Sequence, residues 1–119
     1  MDIELERHEN RVLLRIKGDL RLWNRADAEE DAIARFYSIL EEPPAELVLN
    51  LQETSHVDPR GIAVLVRIQA ACFRRAITLK VVLPAGAAGD LLRHTHIFEA
   101  CPQFENEAAA MAAGGTSVA

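Results

Sequence analysis

The sequence predicts a single α/β domain built on one mixed β-sheet. Short apolar runs of strand-like composition alternate with longer segments in which apolar residues recur every three or four positions, which is typical of βαβ units. Two adjacent runs near the start are separated only by a turn, so we expect one antiparallel pair beside the parallel strands. The expected sheet has four to five strands, with three to four helices packed on it.

The chain begins with a predicted hairpin and a helix. The segment "IELERHENRVLLRIKG" predicts two strands with "HEN" as the turn, because apolar positions alternate with a period of two from Val12 to Ile16. Asn24 is predicted to cap the following helix, whose first turns are acidic, and the prolines at 43 and 44 end it. The expected buried face of this helix is Ala26, Ile33, Phe36, Tyr37 and Leu40.

The middle of the chain predicts a strand, a loop and a long helix. Residues 46–51, "ELVLNL", form a short apolar run of the kind buried on both faces of a parallel sheet, and "QETSHV" is predicted to be a loop. Asp58 is a suitable helix cap, and Pro59 suits the first helical position because no N–H is needed there. The expected apolar face of the helix is Ile62, Leu65, Val66, Gln69, Cys72 and Phe73.

The C-terminal third predicts shorter elements. Residues 76–84 form a strand, and a short helix then ends near His94. A short extended piece and a final helix from about Glu105 follow. We therefore expect one domain over residues 1–113, with residues 114–119 as a flexible tail.

Composition and charge exclude several classes of function. Half of the residues are hydrophobic, and the net charge is −5, which argues against a general affinity for nucleic acid. No apolar run is long enough to insert into a membrane, and the first ten residues do not resemble a secretory signal. These features predict a soluble, cytoplasmic protein.

No pattern in the sequence indicates catalysis, a metal or a cofactor. There is no nucleophile with a matching base, and "GAAG" lacks the lysine of a P-loop. Cys72 and Cys101 lie far apart without metal-site spacing, and they are interpreted as two buried thiols. His94 and His96 would point to different sides of a helix, so a metal site from them is not expected.

Several segments together resemble one known family. The strand "LVLNL", the loop "QETSHVD", the helix "DPRGIAVLVRIQAACFRR" and the strand "ITLKVVLP" are similar to the STAS domain of bacterial anti-sigma-factor antagonists and sulphate-transporter tails. Upstream, "KGDLRLWNRAD" is similar to the family's Gly-Glu-Leu-Asp segment. The similarity covers about residues 8–113, and the order and spacing of the segments carry it. It implies a STAS-like mixed sheet and a non-catalytic module that binds a partner protein.

The resemblance also implies that a regulatory switch is missing. The family carries Asp-Ser-Ser-Gly where this chain has Asp-Pro-Arg-Gly at residues 58–61. In the family the second serine accepts phosphate from an ATP-using anti-sigma kinase, and the unphosphorylated form binds that kinase and frees the sigma factor. This serine falls on Arg60, and the family's nearby acidic residue falls on Arg21. Since arginine has no hydroxyl, the usual phosphoswitch is expected to be absent.

Three roles remain open for Arg60. It is a solvated residue or one paired with Asp58 or Asp19, or it contacts a partner, or it helps to capture an anion at the helix N-terminus together with Arg21. Two observations favour a contact with a partner. The arginines of this helix are spaced seven residues apart, and residues 58–75 contain four arginines but only one aspartate. The predicted partner-binding residues are Arg21, Asp58, Arg60, Gly61, Arg67 and Arg74.

Other residues near this segment have alternative interpretations. Trp23 is interpreted as a hydrophobic staple at the helix entry, with an exposed aromatic anchor as the alternative. Gly61 is expected to admit a close partner backbone. Thr54 and Ser55 are alternative phosphate acceptors.

Three kinds of partner fit these expectations. The first is an anti-sigma kinase-like ATPase, as the resemblance implies. The second is an ABC ATPase subunit, if the chain resembles the small STAS subunit that regulates a lipid-transporting ABC ATPase. The third is a phosphate-bearing small ligand, for which the chain would be a sensor. The sequence leaves open whether the chain forms a homodimer.

Overall fold

Six strands form one mixed sheet in the computed structural model, which describes residues 1–113. The strands are β1 Asp2–His8, β2 Arg11–Leu20, β3 Glu46–Asn50, β4 Thr54–Val57, β5 Thr78–Val82 and β6 Gln103–Phe104. Their order is β1-β2-β3-β5-β6, and β4 pairs with β2. The pair β1–β2 is antiparallel, and the four other pairings among these strands are parallel. The predicted α/β class with a mixed sheet is confirmed.

Four helices cover this sheet. They are α1 Ala26–Leu40, α2 Pro59–Arg74, α3 Gly86–Thr95 and α4 Glu107–Ala112. None of these helices is long and apolar enough to cross a membrane. The predicted tail, residues 114–119, lies outside the described residues.

The sheet has one strand more than the four to five expected, because part of the predicted loop forms β4. The strand β2 has ten residues, and β3 pairs only with its first half, Arg11–Arg15. Its second half pairs with β4 instead, and the register shifts between Gly18 and Asp19. Gly18 has a φ of +87°, a conformation that glycine adopts without strain. This four-residue strand buries only Thr54 fully, so its sequence does not show the alternation of apolar and polar residues from which a strand is predicted.

The alternation along β2 separates two cores. Val12, Leu14 and Ile16 belong to the large core, which includes residues of α1, α2 and α3. Leu13 points to the opposite face and packs in a smaller core with residues of β3, β5 and α4. The sheet is therefore covered on both faces, although a helix of only six residues covers the second one.

The predicted start of α1 is wrong by one residue, and of the residues predicted for its buried face only Phe36 is fully buried. Asn24 does not cap the helix; it has a left-handed φ of +62° inside a turn closed by a 2.8 Å bond from the Arg25 amide to the Leu22 carbonyl. Asparagine tolerates this conformation because its side chain is short and polar. Arg25 occupies the cap position without a side-chain bond. The buried residues of α1 are Ala32, Phe36 and Ile39, whereas Ile33 and Leu40 are partly buried and Tyr37 is exposed.

The buried face of α2 is also rotated from the prediction. Val66 and Phe73, expected in the core, are exposed. Gly61 fixes this orientation, since a Cβ at its position would overlap the carbonyl oxygen of Leu20 at the end of β2. The helix therefore touches β2 through bare backbone at its first turn. The buried residues are Gly61, Val64, Leu65, Ile68, Ala71 and Cys72.

Charged groups hold α4 on the second face of the sheet. The Nε and Nη2 atoms of Arg15 each donate to a different oxygen of Glu107 at 2.7 Å, and Asn50 donates to the same carboxylate at 2.8 Å. The Arg15 guanidinium holds the pKa of Glu107 below its ordinary value, against the opposing effect of burial. Beside them, buried Lys80 binds Glu46 at 3.0 Å and donates to the Ala110 carbonyl at 3.2 Å.

We predict that Gly61→Ala lowers the free energy of unfolding by about 2 kcal/mol, because the new methyl group must push α2 away from Leu20. Urea denaturation measures this effect. The matched control is Ala63→Ser, an exposed change in the same helix that should cost far less. An unstrained Gly→Ala change inside a helix would instead stabilise by about 0.5–1 kcal/mol, and that result would contradict the close contact.

We predict that Glu107→Gln lowers stability by about 1 kcal/mol at neutral pH, because it removes the charge that Arg15 binds. The pKa of Glu107 is lowered by folding, so its stabilisation is complete above the ordinary carboxyl pKa and is lost as pH falls through the folded value. Denaturation at pH 7 and at low pH should therefore show a difference from wild type only at pH 7. The exposed control Glu105→Gln should match wild type at both.

Candidate functional site

The first turn of α2 is held by one carboxylate. Asp58 is the N-cap, as predicted, and its Oδ1 accepts a bond of 2.8 Å from the Gly61 amide. Its Oδ2 accepts a second bond of 2.9 Å from the amide of Trp23, in the segment between β2 and α1. Burial acts to raise the pKa of Asp58, but these backbone donors outweigh it and leave the pKa below its ordinary value. Asp58 therefore stays ionised and fastens α2 to a neighbouring loop.

Arg60 is exposed at the same turn, and its ion pair was not among the expected ones. Its Nε lies 3.0 Å from Oε1 of Glu29 on α1, rather than against Asp58 or Asp19. Its guanidinium carbon lies 5.9 Å from the centre of the Trp23 ring, which is within the range of a cation–π contact. Arg60 is thus held between a carboxylate and an aromatic face while about half of its side chain remains exposed.

The interpretation of Trp23 as a packed staple is wrong. Its side chain is 66% exposed, whereas the neighbouring Leu22 is 1% exposed and fills the core position. The backbone of Trp23 is fixed by Asp58, so its ring is displayed beside Arg60. An exposed tryptophan on a fixed backbone agrees with the alternative of an aromatic anchor.

Arg21 lies at the same end of the sheet, one residue beyond β2. Its guanidinium binds the Asp19 carboxylate, with Nη2 at 2.6 Å from Oδ2 and Nε at 2.9 Å from Oδ1. This arginine is the main reason that the pKa of Asp19 falls to about 2. The charge of Arg21 is therefore largely matched by Asp19, which lies two residues before it.

The two hydroxyl-bearing residues of β4 differ in their exposure to solvent. Thr54 is only 3% exposed, and its Oγ1 donates to the carbonyl of Ile16 at 2.8 Å. Ser55 is exposed, and its Oγ lies 3.2 Å from Nδ1 of His56. Of the two alternative phosphate acceptors, only Ser55 presents its hydroxyl at the surface.

Gly61 does not belong to the exposed surface. It is buried, and the backbone that it admits is that of Leu20 in the same chain, rather than that of a partner. Its role is to let α2 approach β2.

Arg67 and Arg74 are exposed farther along α2. Both line an open groove of about 380 Å³ between α1 and α2, together with Ile33 and Glu29. Glu29 is the residue that binds Arg60, so the groove runs from the first turn of α2 towards its end. The structure therefore brings the three arginines of the predicted stripe to one surface.

The cysteines are nearer to each other than their separation in sequence indicates. Cys72 and Cys101 are both free and line one groove of about 300 Å³ beside Phe73. Burial is the main cause that raises the pKa of Cys72 to about 12, so its thiol stays protonated. Among residues 1–113, no group of three or more His, Cys, Asp or Glu side chains could hold a metal ion.

Comparison with solved structures agrees with this architecture. The unphosphorylated anti-sigma factor antagonist SpoIIAA aligns with a TM-score of 0.71 and 18% identity, over 96% of this chain and 100% of that one. An anti-sigma factor antagonist from Mycobacterium paratuberculosis aligns with a TM-score of 0.68 and 19% identity, over 94% and 92% of the two chains. A sulfate transporter family protein from Wolinella succinogenes gives a TM-score of 0.70 and 20% identity, over 87% and 84%.

The family of this chain is established by its sequence. Among curated proteins no significant match is found. The pattern of the STAS domain, however, matches residues 2–110, which is nearly all of the described chain. With the mixed sheet and the four helices of that fold, this match identifies the chain as a member of the STAS domain family.

Proposed function

We propose that this STAS domain is a non-catalytic interaction module that binds a partner protein. The binding surface comprises Arg21, Trp23 and Arg60 at the end of the sheet, held in place by Asp58, and it continues with Arg67 and Arg74 along α2. The observation that carries the proposal is the exposed ring of Trp23 against Arg60 at the first turn of α2. Tryptophan and arginine are the residue types that most often dominate the energy of protein interfaces.

The position of the family's phosphate acceptor supports a regulator without a phosphoswitch. Arg60 carries a permanent positive charge where the family's switch would introduce a negative one. The ion pair with Glu29 holds that charge in place. A partner that recognises this surface therefore meets the same charge at all times.

The first candidate for the partner is an anti-sigma kinase-like ATPase, which the family resemblance favours. The alternative is an ABC ATPase subunit bound by the same helix. Both hypotheses use one surface, so the identity of the captured protein decides between them.

A sensor of a phosphate-bearing ligand has less support. The carboxylate of Asp58 already accepts from the Gly61 amide at the N-terminus of α2. Asp19 binds Arg21, and Glu29 binds Arg60. An anion would have to displace three carboxylates from the groups that would hold it, which opposes binding there.

We predict that Arg60→Glu abolishes capture of the partner, because the reversed charge faces the surface that bound the arginine. A pull-down from extract of the native cell, read by mass spectrometry, compares wild type with this variant. The control is Arg93→Glu, which reverses an exposed arginine on α3. Capture of one ATPase by wild type and the control alone supports the proposal. The same proteins captured by all three forms would overturn it.

We predict that wild type gains no phosphate when it is incubated with ATP and the captured ATPase, because Arg60 has no hydroxyl. Intact-mass analysis measures this directly. Arg60→Ser restores a hydroxyl at the same position and is the matched comparison. Phosphate on wild type would refute the absent switch, and Ser55 would be the first residue to map because Thr54 is buried.

A further inference from the structure

The outward face of α2 carries an apolar row with the spacing of a helix-pairing surface. Its residues follow one another at intervals of four, three, four and three, which is the a/d pattern of a heptad. Although apolar, Val66 and Phe73 remain 40% and 68% exposed. We call this row the α2 seam, and it consists of Pro59, Ala63, Val66, Ala70 and Phe73.

One side of the α2 seam is uniformly positive. Arg60, Arg67 and Arg74 each follow a seam residue and lie seven positions apart, in the place of heptad position e. The opposite side, position g, carries the uncharged Ile62 and Gln69. Within residues 1–113, Arg67 and Arg74 form no ion pair with a carboxylate. Among the three arginines, Arg60 is paired with Glu29, so the seam offers Arg67 and Arg74 as the cations that lack a carboxylate partner within these residues.

We propose that the α2 seam docks an amphipathic helix of the partner protein that carries carboxylates at seven-residue intervals. This inference rests on the proposed function, because it uses the same surface, and it adds the chemistry of the partner. A row of glutamates or aspartates on such a helix would face Arg67 and Arg74 in succession, and an apolar row would cover Val66 and Phe73.

The shape of the surface suits such a helix. Ala63 and Ala70 are the small residues of the seam, and both line the groove of about 380 Å³ between α1 and α2. Arg67 and Arg74 line the same groove. Side chains of a docked helix could enter this groove as knobs enter holes, while its carboxylates reach the arginines at the edge.

A second copy of this chain does not supply the required charge. If two α2 helices pair in an antiparallel manner, position e faces position e, so Arg67 of one copy meets arginines of the other. If they pair in a parallel manner, the arginines face the uncharged Ile62 and Gln69. Neither arrangement provides a carboxylate for Arg67 or Arg74 from α2.

The test uses two synthetic helices of about 20 residues, each hydrocarbon-stapled so that it is helical before it binds. Both carry leucine and isoleucine at a and d, and one has glutamate and the other lysine at e and g. Fluorescence anisotropy measures their affinity for the full chain at two salt concentrations. We expect the glutamate helix to bind and the lysine helix not to bind, with weaker binding at high salt.

Two variants locate the binding on the α2 seam. Arg67→Glu should weaken binding of the glutamate helix roughly fivefold, as expected for exchanging one exposed attraction for a repulsion. Phe73→Ala should weaken it without lowering the melting temperature, because that ring is mostly exposed. The control Arg93→Glu should bind as wild type does. Circular dichroism confirms that each variant is folded.

The other outcomes overturn this inference. Equal affinity for both helices, no binding of either, or binding that ignores Arg67→Glu and Phe73→Ala would exclude acidic helix docking. A concentration-dependent dimer in sedimentation, abolished by Phe73→Ala, would assign the seam to a second copy. If the helices fail while Arg60→Glu still abolishes capture in the pull-down, the proposed function stands and only the helical partner is wrong. If both experiments fail, the proposed function fails as well.

Discussion

The carboxylate of Asp58 is the interaction on which the arrangement of this surface depends. It joins two segments that are distant in sequence, since one oxygen binds the first turn of α2 and the other binds the Trp23 amide after β2. Such charge-assisted bonds to backbone N–H groups are stronger than neutral ones. Beside this link, the Asp58 amide lies 3.5 Å from the Leu20 carbonyl oxygen, and Gly61 packs closely against the same carbonyl. The Trp23–Arg60–Glu29 contacts therefore rest on a fixed frame.

Within residues 58–61, two residues have structural roles and the other two are exposed on the surface. Asp58 and Gly61 face inward, where one caps the helix and the other admits the end of β2. Pro59 and Arg60 between them are exposed. A change at the two inner positions disturbs the packing of α2, whereas a change at Arg60 alters the surface and the contacts with Glu29 and Trp23. Position 60 therefore accepts a long charged side chain without disturbing the helix cap or the close contact of Gly61 with Leu20.

Local signals in the sequence predict part of this structure well. The cap at Asp58 and the proline after it depend on neighbours within one turn, and both are found as predicted. The pair Arg60–Glu29 spans 31 positions, and Arg15–Glu107 spans 92, so no local pattern indicates either contact. The face of α2 was predicted from apolar spacing alone, but two interleaved apolar rows have that spacing. The contact of Gly61 with Leu20 selects which row is buried, and this depends on tertiary structure.

The second apolar row of α2 and the arginines beside it make one surface of this acidic protein both hydrophobic and positively charged. A helix that needed only to cover the sheet could carry polar residues at positions 66 and 73, yet valine and phenylalanine stand there exposed. Arginines at 60, 67 and 74 border that row in a chain whose net charge is −5, so a negative approaching surface is attracted here and repelled by much of the remainder. Glu29 shields only the first of these arginines. The attraction is therefore concentrated on the later turns of α2, beside Phe73, where apolar contact can follow the electrostatic encounter.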